Sequence, residues 1–266
     1  MIKISVVTIT YNAADVLKRT LDSVLNQTYQ HIEHLIVDGA SLDDTLEIAN
    51  DYKDENDEVA ASHDVIITSA KDKGLYDAMN KGLMRATGDY VLFLNAGDFL
   101  PSSATIETVV DVAKRVRQES GALPAVLYGD TDIVDSHGNY LHPRHHRPPH
   151  NLTWHSFRYG MLVCHQAFYA RLDIAQTMPY DLNYRFSADV DWCIRVMREA
   201  DRRGLDLVNV GAVVVNYTKE GQTTINHKAS LKERYKVMCR HYGTLPTIFM
   251  HCMFVVRALL KRLGAR

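Results

Sequence analysis

Short apolar runs alternate with amphipathic segments along the first half of this chain, and that alternation constrains its fold more than any other feature. Four runs rich in β-branched residues are predicted to be strands: residues 2–10, 33–38, 64–69 and 90–95. Apolar residues at helical spacing predict helices at residues 16–25, 46–49, 75–86 and 106–116. This order predicts an α/β fold, in which helices cover both faces of a Rossmann-like, mostly parallel sheet.

The second half of the chain is less regular. Further strands are expected at residues 125–130, 139–141 and 205–217, and further helices at residues 184–199 and 228–241. Three prolines interrupt residues 142–150, which also hold four histidines and two arginines, so we expect no regular structure there. We interpret this segment as a solvated connector, with a basic loop near a bound anion or a metal site as the alternatives.

Composition sets limits on the size, partners and compartment of the protein. Its 266 residues, 46% of them hydrophobic, suffice for one large domain with a sizeable core. The net charge of −2 argues against nucleic acid as the main partner. The four cysteines show no paired metal-ligand spacing, and residues 4–9 are too short for the apolar part of a signal peptide. We therefore expect a reduced, cytoplasmic protein.

The stretch from Asp72 to Asp98 combines a loop, a short helix and a buried strand with an acid on the turn that follows. Residues 90–94 form a continuous apolar run, typical of a strand covered on both faces, and Asn95-Ala96-Gly97-Asp98 comes directly after it. In open α/β sheets, ligands bind beyond the carboxyl ends of the strands. A carboxylate there can hold Mg²⁺ or Mn²⁺ against a phosphate, although an Asp on such a turn is also an ordinary turn residue.

Three further carboxylates lie where a strand ends or a helix begins. Asp38 ends the second predicted strand, where an acid can accept hydrogen bonds from a base or a ribose. A capping network with Ser41 is the alternative for this residue. Asp189 and Asp191 lie at the start of a predicted amphipathic helix, where the helix dipole favours any acid. Their position alone therefore does not distinguish a catalytic base from a stabilising charge.

Six segments, in this order, carry a resemblance to a known family: residues 6–12 (VVTITYN), 37–41 (VDGAS), 72–82 (DKGLYDAMNKG), 86–98 (ATGDYVLFLNAGD), 164–168 (CHQAF) and 187–189 (SAD). Residues 1–225 resemble the family 2 inverting glycosyltransferases of GT-A fold, and within them the bacterial exopolysaccharide branch that includes a colanic acid enzyme. The resemblance implies a nucleotide-sugar-binding half (1–99), an acceptor-binding half (100–225) and C-terminal helices (226–266).

The resemblance also implies a set of donor-side residues. The nucleotide-sugar donor would be bound by Thr8, Tyr11, Asn12, Asp38, Asp72, Lys73, Asn80, Asn95 and Gly97. Asp98 would hold a Mn²⁺ or Mg²⁺ ion, at a site where Asn95 replaces the first acid of the family's motif. The metal-directed corner therefore offers one carboxylate instead of two.

The acceptor side follows from the same resemblance. Asp189 would be the general base, with Asp191 as the second choice, and His165 and Gln166 would lie beside the acceptor. Residues 221–224 would lie near the diphosphate. In an inverting transfer the base removes the proton of the acceptor hydroxyl on the face opposite the leaving diphosphate, so the base and the metal must face each other across a cleft.

The sequence thus predicts an inverting glycosyltransferase that moves a sugar from a nucleotide-diphospho-sugar to a hydroxyl of a glycan or lipid-linked saccharide in bacterial surface polysaccharide synthesis. A nucleotidyltransferase that makes the activated sugar is one alternative, but the turn after the first strand lacks the glycine and the cation that would hold a triphosphate. A non-catalytic scaffold of a polysaccharide assembly complex is the other. The sequence leaves a homo-oligomer open.

The C-terminal segment is basic and amphipathic. Residues 228–266 contain nine Lys and Arg but a single acid, Glu233. The apolar residues that share one helical face are Phe249, Met253, Val256, Leu260 and Leu263. The apolar run at residues 245–260 is too short and too charged for a transmembrane helix. We expect a helix that lies on the inner membrane surface, with packing on the domain or on a second subunit as the alternative.

Overall fold

A computed structural model describes residues 1–59, 63–219 and 227–262, without the side chains of residues 227–228 and 257–262. Its strands are β1 (Ile4–Thr10), β2 (Ile32–Asp38), β3 (Asp64–Ser69), β4 (Tyr90–Phe93), β5 (Val126–Val134), β6 (Tyr140–Pro143), β7 (Phe168–Arg171) and β8 (Leu207–Thr218). Its α-helices are α1 (Ala14–Leu25), α2 (Thr45–Glu58), α3 (Leu75–Arg85), α4 (Thr105–Ser120), α5 (Leu172–Ala175), α6 (Ala188–Arg202), α7 (His227–Tyr242) and α8 (Thr244–Arg262). Two short 3-10 helices, Trp154–Tyr159 and His165–Ala167, precede β7.

The eight strands belong to one sheet, in the order β3-β2-β1-β4-β7-β5-β6, and β8 pairs with the other edge of β5. The pairs β1–β2, β2–β3, β1–β4 and β5–β8 are parallel. β7 is antiparallel to both β4 and β5, and β6 is antiparallel to β5. The sheet is therefore mixed and mostly parallel, which confirms the predicted α/β fold class.

Helices cover the parallel strands from both sides. On one face α1 and α2 pack over β2, where Leu17, Tyr52 and Ile36 are buried together. On the other face α3 approaches β1 so closely that a Cβ added to Gly82 would lie 2.4 Å from Val7 Cγ1. Because both faces are covered, every residue of β1 and β2 is buried, including polar residues such as Ser5 and Glu33.

The sequence analysis missed β7 and part of β6. The four residues of β7 lie between β4 and β5 and so join the two halves of the chain in one sheet. The expectation that residues 142–150 hold no regular structure was wrong for His142 and Pro143, which end β6. β6 lies at the edge of the sheet, where the missing N–H of a proline leaves no ladder bond unmade.

Candidate functional site

The carboxyl ends of β1, β2 and β4 meet at one edge of the sheet, because these strands are parallel neighbours. Ligands of such sheets bind at that edge. Gly39, in the turn after β2, packs between two predicted donor-binding residues. A Cβ at this position would lie 2.7 Å from Asp72 Oδ2 and 3.2 Å from Tyr11 Cδ2. Glycine is therefore what allows the segments that carry Tyr11 and Asp72 to approach each other.

Tyr11, Asp72 and Lys73 lie on loops at this edge. Tyr11 is 61% exposed, and the side chain of Lys73 is also exposed. Asp72 Oδ1 accepts the backbone N–H of Gly74 at 2.8 Å, which leaves Oδ2 beside Gly39. The three side chains offer an aromatic face, a carboxylate and a cation, which are groups that contact a base, a ribose and a phosphate.

Asn12 and Asp38 bind neighbouring loops to each other. Asn12, at a positive φ of 46°, accepts the backbone N–H of Leu42 at 2.8 Å through Oδ1 and donates its own N–H to Ser41 Oγ at 2.8 Å. Asp38 is buried and accepts hydrogen bonds from the backbone N–H of Ser41 at 3.0 Å, from the Ser41 hydroxyl, and from the Ser69 hydroxyl at 2.6 Å. The network includes Ser41, as the capping alternative has it, but it caps no helix, since α2 begins at Thr45. The contact of Asp38 with a base or a ribose stays a prediction.

The side chains of Thr8 and Asn80 do not reach the cleft. Thr8 is fully buried, and its hydroxyl lies 2.8 Å from Nε2 of His34. The Asn80 amide pairs with the backbone of Tyr180, donating to its oxygen at 3.0 Å and accepting its N–H at 2.7 Å. Each side chain already holds a partner that is distant in the sequence, and the predicted donor contacts of Thr8 and Asn80 stay predictions.

A chain of polar contacts joins the end of β4 to the start of α6. Asp189, in the first turn of α6, accepts a hydrogen bond from Tyr76 Oη at 3.0 Å through Oδ1. Its Oδ2 lies 3.4 Å from His165 Nδ1, and His165 Nε2 lies 3.4 Å from Asn95 Nδ2. Oδ1 of Asn95 is buried and has no hydrogen-bond partner among the described residues. The structure thus brings together three site residues that were predicted from separate segments.

Asp189 combines limited solvent access with stabilisation of its charge. Its side chain is 16% exposed. Burial alone raises the pKa of Asp189, but the hydrogen bond and charge of His165, the charge of Arg234 and the hydroxyl of Tyr76 outweigh burial and hold the pKa below its usual value. The carboxylate is therefore ionised at neutral pH and oriented by two side chains, as a general base must be.

Asp191, the second choice for the base, lies elsewhere. Its side chain is fully buried, with Oδ2 at 2.6 Å from Arg195 Nε and Oδ1 at 2.8 Å from His241 Nε2. Burial raises the pKa of Asp191, but these two partners outweigh burial and lower it. The carboxylate of Asp191 is buried, and through His241 it joins α6 to α7. This position favours Asp189 over Asp191 as the base, and the catalytic role of either residue stays a prediction.

Both carboxylate oxygens of Asp98 accept hydrogen bonds from other parts of the chain. Oδ1 accepts the backbone N–H of Thr218 at 2.9 Å, and Oδ2 accepts Nε2 of Gln166 at 2.9 Å. The residue is 5% exposed, and burial raises its pKa to about 6 in spite of these bonds. Gly97, at a φ of 99°, is part of the same contact with β8. Its carbonyl oxygen accepts a hydrogen bond from the Thr218 hydroxyl at 2.6 Å. Gln166, predicted beside the acceptor, thus contacts Asp98.

The divalent cation that the family resemblance implies does not fit this arrangement. Mg²⁺ and Mn²⁺ bind through carboxylate oxygens and keep several further oxygen ligands, whereas Asp98 is 5% exposed and each of its oxygens already accepts a hydrogen bond from the protein. The neighbouring positions, Asn95 and Gly97, add no second acid. Within the described residues there is no group of three His, Cys, Asp or Glu that could hold a metal ion. The structure therefore does not support the predicted metal role of Asp98, and we route no step of the reaction through a metal.

Three residues near the candidate base were not predicted. Tyr76, which donates to Asp189, lies inside the segment 72–82 of the family resemblance, so a signal was present. Glu233 and Arg234 lie on α7, which the sequence analysis described only as basic. The buried Nε of Arg234 has no hydrogen-bond partner among the described residues, and the charge of this side chain lowers the pKa of Asp189. Sequence periodicity gave no indication that α7 reaches the site.

Three other predictions concerned residues 142–150 as a connector, residues 221–224 near the diphosphate, and a helix at the membrane. In the connector, Arg144 donates to the backbone oxygens of Met161 at 2.7 Å and Leu162 at 3.2 Å, which holds part of residues 142–150 against the protein. Residues 221–224, predicted near the diphosphate, lie outside the described residues. Across the described part of the chain, each helix is too short or too polar to cross a membrane.

Comparison with known proteins identifies the family. Residues 5–175 match the model of Glycosyl transferase family 2. A PGL/p-HBAD biosynthesis glycosyltransferase of Mycobacterium bovis is 34% identical over 198 residues, which cover 72% of this chain and 68% of that protein. WfaP of Escherichia coli, a UDP-Glc:alpha-D-GlcNAc-diphosphoundecaprenol beta-1,3-glucosyltransferase, is 23% identical over 257 residues, which cover 94% and 95% of the two chains.

Solved structures agree on the fold. Residues 1–349 of S. aureus TarS, in complex with UDP-GlcNAc, superpose with a TM-score of 0.67 at 19% identity. That match covers 89% of this chain but 64% of the TarS chain. The mannosyltransferase PcManGT of Pyrobaculum calidifontis, in complex with GDP-Man and Mn²⁺, gives 0.63 at 16% identity and covers 94% and 70%. At these identities the likeness shows a GT-A-like fold. Together with the family match, it establishes that the chain belongs to glycosyl transferase family 2 and is a glycosyltransferase.

Proposed function

We propose that this protein is an inverting glycosyltransferase that moves a sugar from a nucleotide-diphospho-sugar to a hydroxyl of a glycan or lipid-linked saccharide. The observation that carries the proposal is the carboxylate of Asp189, which is ionised, partly open to solvent and oriented by Tyr76 and His165. The names of two similar proteins support the substrate classes, since TarS was crystallised with UDP-GlcNAc and WfaP acts on a sugar attached to diphosphoundecaprenol. A role in exopolysaccharide synthesis is part of this proposal.

In the proposed reaction, Asp189 accepts the proton of the acceptor hydroxyl as its oxygen bonds to the anomeric carbon of the donor sugar. The bond between that carbon and the diphosphate oxygen breaks, and the nucleoside diphosphate leaves with the electron pair. One displacement of this kind inverts the configuration of the anomeric carbon. Tyr76 and His165 hold the carboxylate in place, which preserves the near-attack geometry on which the rate depends.

The donor side of the proposal uses the loops at the carboxyl ends of β1, β2 and β4. We place the nucleotide beside Tyr11, Asp72 and Lys73, because Tyr11 offers an aromatic face and Lys73 a cation for the diphosphate. Asn12 and Asp38 shape the loops on which the nucleotide rests. Oδ1 of Asn95 is buried without a partner among the described residues, so a hydroxyl of the transferred sugar would bind it only after neighbouring side chains move.

A thermal-shift panel tests the donor class. A specific donor raises the unfolding temperature by linkage, whereas an unrelated nucleotide leaves it unchanged. The panel contains uridine and guanosine diphosphates and their sugars, each with and without Mn²⁺ or Mg²⁺. We expect one base to stabilise the protein, together with slow hydrolysis of its sugar without an acceptor. A panel in which no nucleotide stabilises the protein and no sugar is hydrolysed would favour the scaffold alternative.

Replacement of the base tests the reaction. Asp189→Asn keeps the size of the side chain but removes its basicity, so we expect transfer to fall by about 10² to 10⁴-fold. The thermal shift caused by the donor nucleotide should be unchanged, because Asp189 is not placed among the donor contacts. Asp191→Asn is not a suitable control, since it disturbs a buried ion pair. Transfer at the wild-type rate, or loss of nucleotide binding, would contradict the assignment of Asp189.

We also propose that α8 lies on the inner surface of the bacterial membrane, where a lipid-linked acceptor would be found. On the predicted apolar face, Phe249, Met253 and Val256 are about half exposed or more, while the segment around them is basic. Exposed apolar side chains with nearby cations favour an anionic lipid surface. The predicted face continues to Leu260 and Leu263, whose side chains lie outside those described.

Vesicle sedimentation tests the membrane proposal. The protein should bind anionic vesicles more strongly than neutral ones, and Phe249→Glu should weaken that binding at least several-fold. Met84→Glu is the matched control, because Met84 is equally exposed (62% against 65%) but lies on α3. Equal loss of binding in both variants would contradict the proposal. Loss of a dimer in Phe249→Glu, with vesicle binding unchanged, would instead assign the face to a second copy of the chain.

A further inference from the structure

We propose that Glu233 of α7 is a positioning residue for the base Asp189, so that the basic C-terminal helix forms part of the catalytic unit. The inference rests on the proposed role of Asp189 and extends the site to a helix that the family match, which ends at residue 175, does not include. Glu233 is also the single acid among the nine Lys and Arg of residues 228–266. The structure shows the partners of this acid on the loop before α6.

The carboxylate of Glu233 binds the loop that leads into α6. Oε1 accepts the backbone N–H of Arg185 at 3.0 Å, and Oε2 accepts the backbone N–H of Phe186 at 2.7 Å. The next residue, Ser187, is fully buried and donates its hydroxyl to the backbone oxygen of Ser230 on α7 at 3.2 Å. Three consecutive residues are thus fixed by one turn of α7, and Asp189 follows two positions later.

This attachment controls the position of the base because of its place in the chain. Two hydrogen bonds to one carboxylate fix both the position and the orientation of the loop relative to α7, as a bidentate contact does. A salt bridge holds the other end of this loop, where Arg240 Nη1 lies 2.9 Å from Asp181 Oδ2. The carboxylate of Asp189 has one contact from Tyr76 and one from His165 among the described residues, with the charge of Arg234 nearby. If the loop moves, these contacts lengthen, and a displacement of about 1 Å at a reacting group reduces the rate about 100-fold.

Glu233→Ala is the direct test. It leaves the Arg185 and Phe186 N–H groups to water and frees the loop, so we expect kcat for transfer to fall by about 10- to 100-fold. The dissociation constant of the donor nucleotide, measured by calorimetry, should stay within about twofold, because the donor-side loops are untouched. Glu233→Gln keeps one carbonyl oxygen as an acceptor and should retain an intermediate kcat. It also serves if the alanine variant does not fold.

A control on the same helix separates positioning from general support by α7. Tyr242→Phe removes the hydrogen bond that Tyr242 donates to the backbone oxygen of Trp154 at 2.6 Å, away from the base loop. We expect its kcat to be close to that of the wild type. The inference is overturned if Glu233→Ala keeps a kcat within twofold of the wild type, or if it matches Tyr242→Phe in kcat. Asp189→Asn in the same assay tests the proposed function separately, because retained transfer in that variant contradicts the base and not the loop contact.

Discussion

Replacement of Asp98 with asparagine removes a buried charge while the size of the side chain stays the same. In the folded protein, burial raises the pKa of Asp98 from 3.8 to about 6, whereas in the unfolded chain the carboxyl group titrates at its usual value. Between these two pH values the folded state holds more protons than the unfolded state, so the free energy of unfolding falls as the pH rises. Over the whole window this loss amounts to about 3 kcal/mol.

Asp98→Asn has no titratable group at position 98, and the other titratable groups are common to both proteins. The free energy of unfolding of the variant, minus that of the wild type, should therefore increase by about 3 kcal/mol between pH 4 and pH 7. The asparagine oxygen can still accept the Thr218 N–H, but its amide nitrogen then faces the donor nitrogen of Gln166. That mismatch lowers the stability of the variant equally at every pH, so the pH dependence of the difference reports on the charge.

Urea denaturation of both proteins at closely spaced pH values, in buffer with a chelator, measures this difference. A difference that stays constant from pH 4 to pH 7 would refute the reasoning, because it would show that the carboxylate of Asp98 is hydrated. The same measurement with Mn²⁺ in place of the chelator tests whether Asp98 keeps its hydrogen bonds with Thr218 and Gln166 when a metal is present. Stabilisation of the wild type by Mn²⁺ at pH 7 that is absent in Asp98→Asn would show that the carboxylate leaves its two partners and binds the metal.

The remaining predictions concern packing and buried charge. Arg195→Ala removes the closest partner of the fully buried Asp191 and should lower the free energy of unfolding by about 3 kcal/mol. Arg202→Ala breaks a salt bridge at the surface and should lower the free energy of unfolding far less, because solvent screens that pair. Equal effects in urea denaturation would contradict this ranking. Gly82→Ala should destabilise the protein by about 1–3 kcal/mol because its Cβ would meet Val7 Cγ1. A raised unfolding midpoint in that variant would contradict the close packing.

Local periodicity predicted the order of elements in the first half of the fold, although it gave residues 46–49 for a helix that spans Thr45–Glu58, and it failed where pairing is remote. Residues 64–69 were predicted as a strand with the bounds that the structure shows, because their β-branched residues and flanking polar segments are local signals. β7 has only four residues, and its place between β4 and β5 depends on strands that are distant in the chain. A pattern that short is shared by strands and helices alike, so the sequence did not reveal it.

The site was predictable to the level of segments but not of side-chain partners. Sequence placed Asn95, His165 and Asp189 in three motifs, and the structure shows that contacts join them. The same reasoning chose Asp98 because an acid follows a buried strand, yet that signal is identical for a ligand-binding acid and for one bound by its own chain. The deciding partner, Thr218, is 120 residues away. Tertiary contacts of that range leave no trace in the local pattern.

The hydrogen bond between Thr218 and Asp98 connects the turn after β4 to the end of β8. Thr218 is the last residue of β8, and it is held to Asp98 through its N–H and to Gly97 through its hydroxyl. The chain therefore departs for its C-terminal helices from the edge of the sheet where the nucleotide is proposed to bind. Any ligand that replaces Thr218 at Asp98 must first break the hydrogen bond that holds the end of β8. If binding of a partner to the C-terminal helices changed the affinity of such a ligand, the ligand would change the affinity of that partner by the same factor.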